Sequence, residues 1–185
     1  MAQRNIDGFL THRTGISVNI DYLDLLCYLR FHSIVEDSQI MTHTNNMFEL
    51  DHRLDEDSEF IADWGVFSIR LMKDERFFWL LIIPRLPDVT EWHDLSAEQI
   101  KALNKLMLYL SKNIKRIDKA DKINIGVLGN IVSQFHLHLV ARHHEDAAWP
   151  GPVWGAGDAL PLLANTQHFR KKTVRQLLAD FSICP

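Results

Sequence analysis

The sequence has little cysteine. Cys27 and Cys184 are the two in 185 residues, one near each end, and no C-x-x-C pair exists. A zinc site of the cysteine-paired type is therefore not expected. So sparse a use of cysteine points to a reducing compartment. Long apolar runs are missing too. The longest, Phe77 to Pro84, is eight residues, whereas a bilayer span needs about 20. The opening Met-Ala-Gln-Arg-Asn-Ile-Asp lacks the apolar segment of a secretory signal. Positive charge is not in excess: 20 Lys and Arg stand against 24 Asp and Glu, a formal net charge of −4. A dedicated nucleic-acid binder usually carries the opposite balance. A small anionic ligand stays compatible, because a local pocket can be positive on an acidic protein. No internal repeat, low-complexity tract or Walker-type phosphate loop is present. The expectation is a cytoplasmic protein that neither enters a membrane nor is dedicated to nucleic acid.

What is present is the usual mixture for a globular chain, 46% apolar and 24% charged. The length suits one domain with an extension. Residues 1–46 read as that extension. They hold one apolar segment, Tyr22 to Phe31, with the character of a short helix, and Thr42 to Asn46 reads as a linker. Met41 and Met47 flank the linker, so a second reading starts the natural chain at one of them. Residues 47–155 read as the domain and 156–185 as a tail with a helix.

Regular patterning begins after Met47. Asp55, Glu56, Asp57 and Glu59 read as a solvated acidic turn. Trp64 to Met72 alternates and reads as a strand. Lys73 to Arg76 make a charged turn, and Phe77 to Ile83 is an apolar strand ended by Pro84, which together predict an antiparallel hairpin. Ser96 and Gln99 form a capping-box pair. Ile100, Leu103, Leu106, Met107, Leu110 and Ile114 follow at helical spacing, with Lys101, Lys105 and Lys112 opposite, which predicts an amphipathic helix over about 96–116. Lys122 to Leu128 and Phe135 to Arg142 read as strands joined through Gly129 and Asn130. Residues 143–165 carry prolines and glycines and read as a loop. Thr166 to Phe181 reads as a last helix with Phe169, Val174, Leu177, Leu178 and Phe181 inward and Arg170, Lys171, Lys172 and Arg175 solvated. Trp64, Trp79 and Trp92 read as core. The fold class is α+β on an antiparallel sheet.

The segment Gln134-Phe135-His136-Leu137-His138-Leu139-Val140-Ala141-Arg142 carries the chemistry. Strand side chains alternate between faces, so Gln134, His136, His138 and Val140 share one face and Phe135, Leu137, Leu139 and Ala141 form the core face. The two imidazoles stand ~7 Å apart along the strand at a rise of ~3.3 Å per residue. Three readings are open at this point. The histidines decorate a wet strand face; or they ligate a metal with a third ligand from His143, His144 or Glu145; or one is a nucleophile that splits a hard step into two easier ones. Attack needs a neutral imidazole whose other N–H is held by an acceptor such as a backbone carbonyl.

Asn124-Ile125-Gly126, then Q-F-H-L-H-L-V-A-R, then Trp149-Pro150-Gly151 resembles the histidine triad (HIT) superfamily, as does the apolar strand ending Ile82-Ile83-Pro84-Arg85. The resemblance runs from about Met47 to Gly155. It is similar in detail to a bacterial branch in which the first histidine is absent and a Trp-Pro-Gly-Pro-Val-Trp-Gly segment follows, here Trp149 to Gly155. The resemblance implies a HIT-like antiparallel sheet of about five strands, one long amphipathic helix and a C-terminal helix. It implies a small-molecule nucleotide as ligand and a homodimer formed through the helix and an edge strand. His136 matches the middle histidine, the family's nucleophile, which attacks phosphorus and forms a phosphohistidine. His138 matches the last histidine, which hydrogen-bonds a phosphate oxygen. Asn124 matches the asparagine beside the nucleophile. Gln134 stands where the first histidine belongs; its amide cannot titrate but can donate and accept. Some relatives carry a further histidine on or after the apolar strand. The corresponding places here are near Trp79 and Pro87, and His93 follows. Asn130 and Arg142 are further candidates to meet a phosphate. The implied scheme needs no metal and no cofactor. The implied activity is a nucleotide phosphate hydrolase or nucleotidyl transferase, and the alternative is a nucleotide-binding module with little or no turnover.

Overall fold

Ser58–Trp64 (β1), Phe67–Met72 (β2), Phe78–Pro84 (β3), Lys122–Gly126 (β4) and Leu137–Arg142 (β5) form one five-stranded antiparallel sheet in the order β1-β2-β3-β5-β4. The structure, a computed structural model, describes residues 47–183, and side chains through Phe181. They belong to a unit spanning Asn46–Pro185. The helix expected at Tyr22 to Phe31, the linker, and both cysteines lie outside the described residues. A short helix, His52–Asp57 (α1), precedes the sheet; Ala97–Ile117 (α2) links β3 to β4; Ala164–Ile183 (α3) follows β5. The fold is α+β, as expected. Among the described residues no helix is long and apolar enough to cross a membrane.

Local chemistry explains most element ends. Ser96 accepts from the Gln99 N–H, and the Gln99 side chain reaches back to the Ser96 N–H, so α2 starts where the capping box requires. Leu103, Leu106, Leu110 and Ile114 recur on one face and are fully buried. They meet Ile69, Leu71, Leu80, Ile82, Leu137 and Leu139 in the main apolar cluster. Val174, Leu177 and Leu178 of α3, from the segment set apart as a tail in the sequence, enter the same cluster.

Five sequence expectations need correcting. The strand expected over Trp64 to Met72 is broken by a two-residue hairpin at Gly65 and Val66, where Gly65 takes a positive φ of 55°. The acidic turn is instead the end of α1 and the start of β1. β1 escapes an alternation test because its register shifts between Phe60 and Ala62, so buried and exposed positions lose their period of two. On α3, Phe169 is exposed. Arg170 is not solvated: its guanidinium donates to the carbonyls of Asp74, Glu75 and Phe77 and so closes the β2–β3 turn. Finally, β5 begins at Leu137 and not Phe135, because the Phe135 N–H leaves the ladder to bond the Val89 carbonyl at 2.9 Å.

Both faces of the central strands are covered. Every residue of β3 and β5 is buried. One face carries the main cluster. The other carries a smaller cluster of Leu54, Phe77, Trp79, Leu81, Ile83, Val132, Val140 and Val153, with Phe48, Leu50 and Trp154 packed against it. Trp79 of this second cluster, and Trp154 packed against it, stand beside His138.

Candidate active site

His136 sits at the mouth of β5 and His138 one step inside it. Their side chains share a face, as alternation requires, yet neither is wet: relative exposure is 7% for His136 and 6% for His138. The reading of two histidines on a solvated strand face is therefore overturned. The rings approach to 4.8 Å between centroids, closer than the extended-strand spacing. The chain at His136 has not yet entered the regular strand.

Each ring has one nitrogen fixed by a neighbour. Nδ1 of His136 lies 2.6 Å from the backbone carbonyl of Gln134. A carbonyl only accepts, so Nδ1 carries the hydrogen and the lone pair rests on Nε2. His138 is set the other way. Trp79 donates its indole N–H to Nδ1 of His138 at 2.9 Å. An indole nitrogen only donates, so Nδ1 of His138 is an acceptor and the hydrogen is on Nε2. Burial first, and the neighbouring His136 second, push the His138 imidazole down to about 3. His138 is thus held neutral with an N–H to offer, beside a His136 with a lone pair to offer.

The walls come from two tryptophans. The rings of Trp79 and Trp154 each stand 5.5 Å from that of His138, and they meet edge to face at 6.2 Å. Trp154 lies over the backbone of β4 at Gly126, which pairs with His138 across the ladder. A Cβ at Gly126 would fall 2.8 Å from the Trp154 ring, so glycine is required for close approach. The indole nitrogen of Trp154 is buried and has no hydrogen-bond partner among the described residues.

Asn124 pairs with Val140 across the β4–β5 ladder and so faces the histidine side of the sheet. Its Oδ1 accepts from Arg142 at 2.7 Å. Guanidinium has only donors, which fixes the amide with its nitrogen on the far side. A phosphate contact is the sequence expectation for Arg142. Instead its side chain is 1% exposed and grips both carboxylate oxygens of Asp146, at 2.6 and 2.9 Å, as well as the Gly151 carbonyl. Burial would raise the Asp146 carboxyl, but the bonds from Arg142 and from the His143 and Ala148 N–H groups outweigh it and hold it at about 2.

The Gln134 amide is engaged at both ends. Its Oε1 accepts from the Asp51 N–H at 3.0 Å and its Nε2 donates to the Glu49 carbonyl at 2.8 Å. Asn130 is exposed in the loop before β5, and His93 is exposed on a 3₁₀ turn, Trp92–Asp94. His143 turns away to Asp118 at 2.9 Å, and His144 packs on Trp149 with its N–H bonded to Asp121. Among the described residues no group of three or more His, Cys, Asp or Glu side chains is placed to hold a metal ion.

Sequence reasoning places Trp79 in the core and leaves Trp154 open between a lid, a dimer contact and plain packing, so neither stands among the candidate site residues. Trp79 reads as core from its apolar strand, and it is buried; its N–H is the signal, since a buried tryptophan usually finds an acceptor. Gly126 inside a strand was the trace of Trp154.

The model of the HIT domain matches residues 54–145. No curated protein matches. Among solved structures, a histidine triad protein from Bradyrhizobium japonicum is 38% identical over 71% of this chain and 98% of its own, with a TM-score of 0.69. One from Marinobacter aquaeolei VT8 is 34% identical over 72% and 98%, with a TM-score of 0.70. One from Sinorhizobium meliloti 1021 is 37% identical over 70% and 96%, with a TM-score of 0.67. Likeness of this extent, on a sheet that presents His136 and His138 side by side, means that the chain belongs to the histidine triad (HIT) family.

Proposed function

We propose that this protein is a nucleotide phosphate hydrolase or nucleotidyl transferase, and that Nε2 of His136 is its nucleophile. The observation that carries this reading is the 2.6 Å bond from Nδ1 of His136 to the Gln134 carbonyl. It leaves the lone pair of Nε2 free, and the carbonyl stabilises the positive charge that the ring acquires on attack. Nε2 forms a bond to phosphorus while the bond from phosphorus to the leaving group breaks. The leaving group takes that electron pair and a proton from solvent. Water then attacks phosphorus, the phosphorus–nitrogen bond breaks with its pair returning to Nε2, and the water releases a proton. If an alcohol or phosphate replaces water, the outcome is transfer.

Charge develops on the phosphoryl oxygens in both steps, and donors must already be in place. The Nε2–H of His138 is one, held in that tautomer by Trp79. The Asn124 amide nitrogen is the second, oriented by Arg142. A homodimer is part of the same reading. β4 is an edge strand with Ile125 exposed, and α2 leaves Leu108 64% exposed.

The test is incubation with adenosine 5′-monophosphoramidate and with dinucleoside polyphosphates, followed by mass spectrometry of the protein. Wild type releases nucleotide monophosphate and carries a transient nucleotidyl adduct on His136. His136→Ala does neither. Equal inertness of both proteins, with nucleotide binding retained, would leave the non-catalytic binding module as the correct reading.

A further inference from the structure

Gln134 occupies the place of the triad's first histidine, and its bonds describe a different task. We infer that Gln134 is a positioning residue that clamps the loop before β5 to the Glu49–Asp51 segment and thereby aims His136. The inference rests on His136 being the reactive histidine. Three hydrogen bonds meet on Gln134. Its side chain accepts from Asp51 and donates to Glu49. Its main-chain carbonyl accepts from His136. The peptide that holds this carbonyl is planar, so its N–H, on Phe135, points the opposite way. That N–H is itself anchored on the Val89 carbonyl. The plane is therefore fixed at one end by Val89, while the side chain fixes the Cα from which it springs.

The segment to which Gln134 is tied is a firm support. Phe48 and Leu50 pack into the second apolar cluster. Asp51 caps α1 by accepting from the Arg53 N–H. The Arg53 guanidinium grips Asp51 and reaches over to the Ile131 carbonyl at 2.8 Å. Loop and segment are thus stitched at Ile131 and at Gln134. Between them lies Val132, which is buried.

Glutamine suits this clamp better than histidine does. Its oxygen and nitrogen leave one carbon and diverge, matching one backbone N–H and one backbone carbonyl two residues apart on the same segment. The two nitrogens of an imidazole lie at different distances from Cβ and point to opposite sides of the ring, so they cannot meet both groups. The first triad position in this chain thus sets the geometry of the nucleophile and leaves phosphate contact to His138 and Asn124. Restoring a histidine there would break the clamp.

The experiment uses the full chain labelled with ¹⁵N-histidine, as wild type, Gln134→Ala, Gln134→Glu and Gln134→His. NMR reads the tautomer of His136, and steady-state kinetics on adenosine 5′-monophosphoramidate read kcat and KM. Wild type shows the single Nδ1–H tautomer. Gln134→Ala shows mixed tautomers and loses kcat by roughly tenfold or more, with KM little changed, as a misplaced reacting group does. Gln134→Glu, ionised at neutral pH, keeps an acceptor for Asp51 but has no donor for Glu49, so it shows mixed tautomers as Gln134→Ala does. Gln134→His does not gain activity. A wild-type tautomer in Gln134→Ala, or a rise in kcat for Gln134→His, would overturn the inference. The tautomer is read without turnover. If wild type is inert toward the phosphoramidate but the tautomer still responds to Gln134, the nucleophile reading fails and the clamp stands.

Discussion

The indole N–H of Trp79 meets Nδ1 of His138 at 2.9 Å, and the direction of that bond decides what His138 can offer. With Nδ1 accepting, the remaining nitrogen must donate. Trp79→Phe keeps an aromatic ring beside His138 and removes the donor, and the loss of the indole's second ring adds a cavity cost of its own. The orphaned Nδ1 is buried, so the variant loses about 1–3 kcal/mol of stability, the cost of leaving a buried acceptor unpaired. Its His138 shows both tautomers by ¹⁵N NMR, and turnover falls because the molecules in the second tautomer present a lone pair where a phosphate oxygen needs an N–H. An unchanged His138 tautomer would mean that burial alone sets the ring.

Stability should depend on pH through the same ring. The His138 imidazole is pushed down from 6.5 to about 3 by burial and by His136. The unfolded chain therefore binds a proton at His138 that the folded chain refuses between these values. The contribution is fully present above about 6.5 and is lost progressively as pH falls toward 3, at up to ~1.4 kcal/mol per pH unit. Below 3 the group adds no further slope. Urea unfolding at pH 7 and pH 5 measures it, with His138→Gln as reference. The wild-type midpoint should fall more steeply than that of the variant, and parallel slopes would show that His138 titrates alike in both states.

Gly126→Ala tests the contact between β4 and the Trp154 loop. The added methyl would lie 2.8 Å from Cη2 and 3.0 Å from Cζ2 of Trp154, and 3.4 Å from Cδ1 of Leu128. The ring must move off His138, at a cost of ~1–3 kcal/mol for overpacking. Trp154→Leu should cost less in the Gly126→Ala background than in wild type, because the clash leaves with the indole. Additive losses in this double-mutant cycle would show that the strain lies elsewhere.

How much of this was legible in the sequence depends on how far each relationship reaches along the chain. The α2 helix was legible to within a residue, because Ser96 caps Gln99 three positions away and the apolar face repeats locally. The shared face of His136 and His138 was legible for the same reason: alternation along one strand fixes it. The Trp79–His138 bond spans 59 residues. It depends on β3 lying beside β5 with Leu81 opposite His138, a register that no local pattern encodes. Arg142 is the sharpest failure. At the end of the histidine strand, beside His143 and His144, it reads as a cation placed to meet a phosphate. Asp146 follows one turn later and draws it inside, where charge pairing makes burial tolerable.

That buried pair yields the last prediction. Arg142→Met leaves the Asp146 carboxylate, itself 4% exposed, without its counter-ion and should cost about 3–5 kcal/mol. Arg142→Lys keeps the charge but not the fork. One ammonium cannot hold both Asp146 oxygens, the Asn124 Oδ1 and the Gly151 carbonyl that the guanidinium serves together. The stability loss should be smaller than for methionine, and the effect on turnover should be larger than the stability loss explains. Freed from Arg142, the Asn124 amide can rotate and present its oxygen to the phosphoryl group, which repels it. Turnover of adenosine 5′-monophosphoramidate by Arg142→Lys should fall toward that of Asn124→Ala, and adding Asn124→Ala to Arg142→Lys should cost little more. If the two losses instead multiply, Arg142 acts on the site by a route other than Asn124.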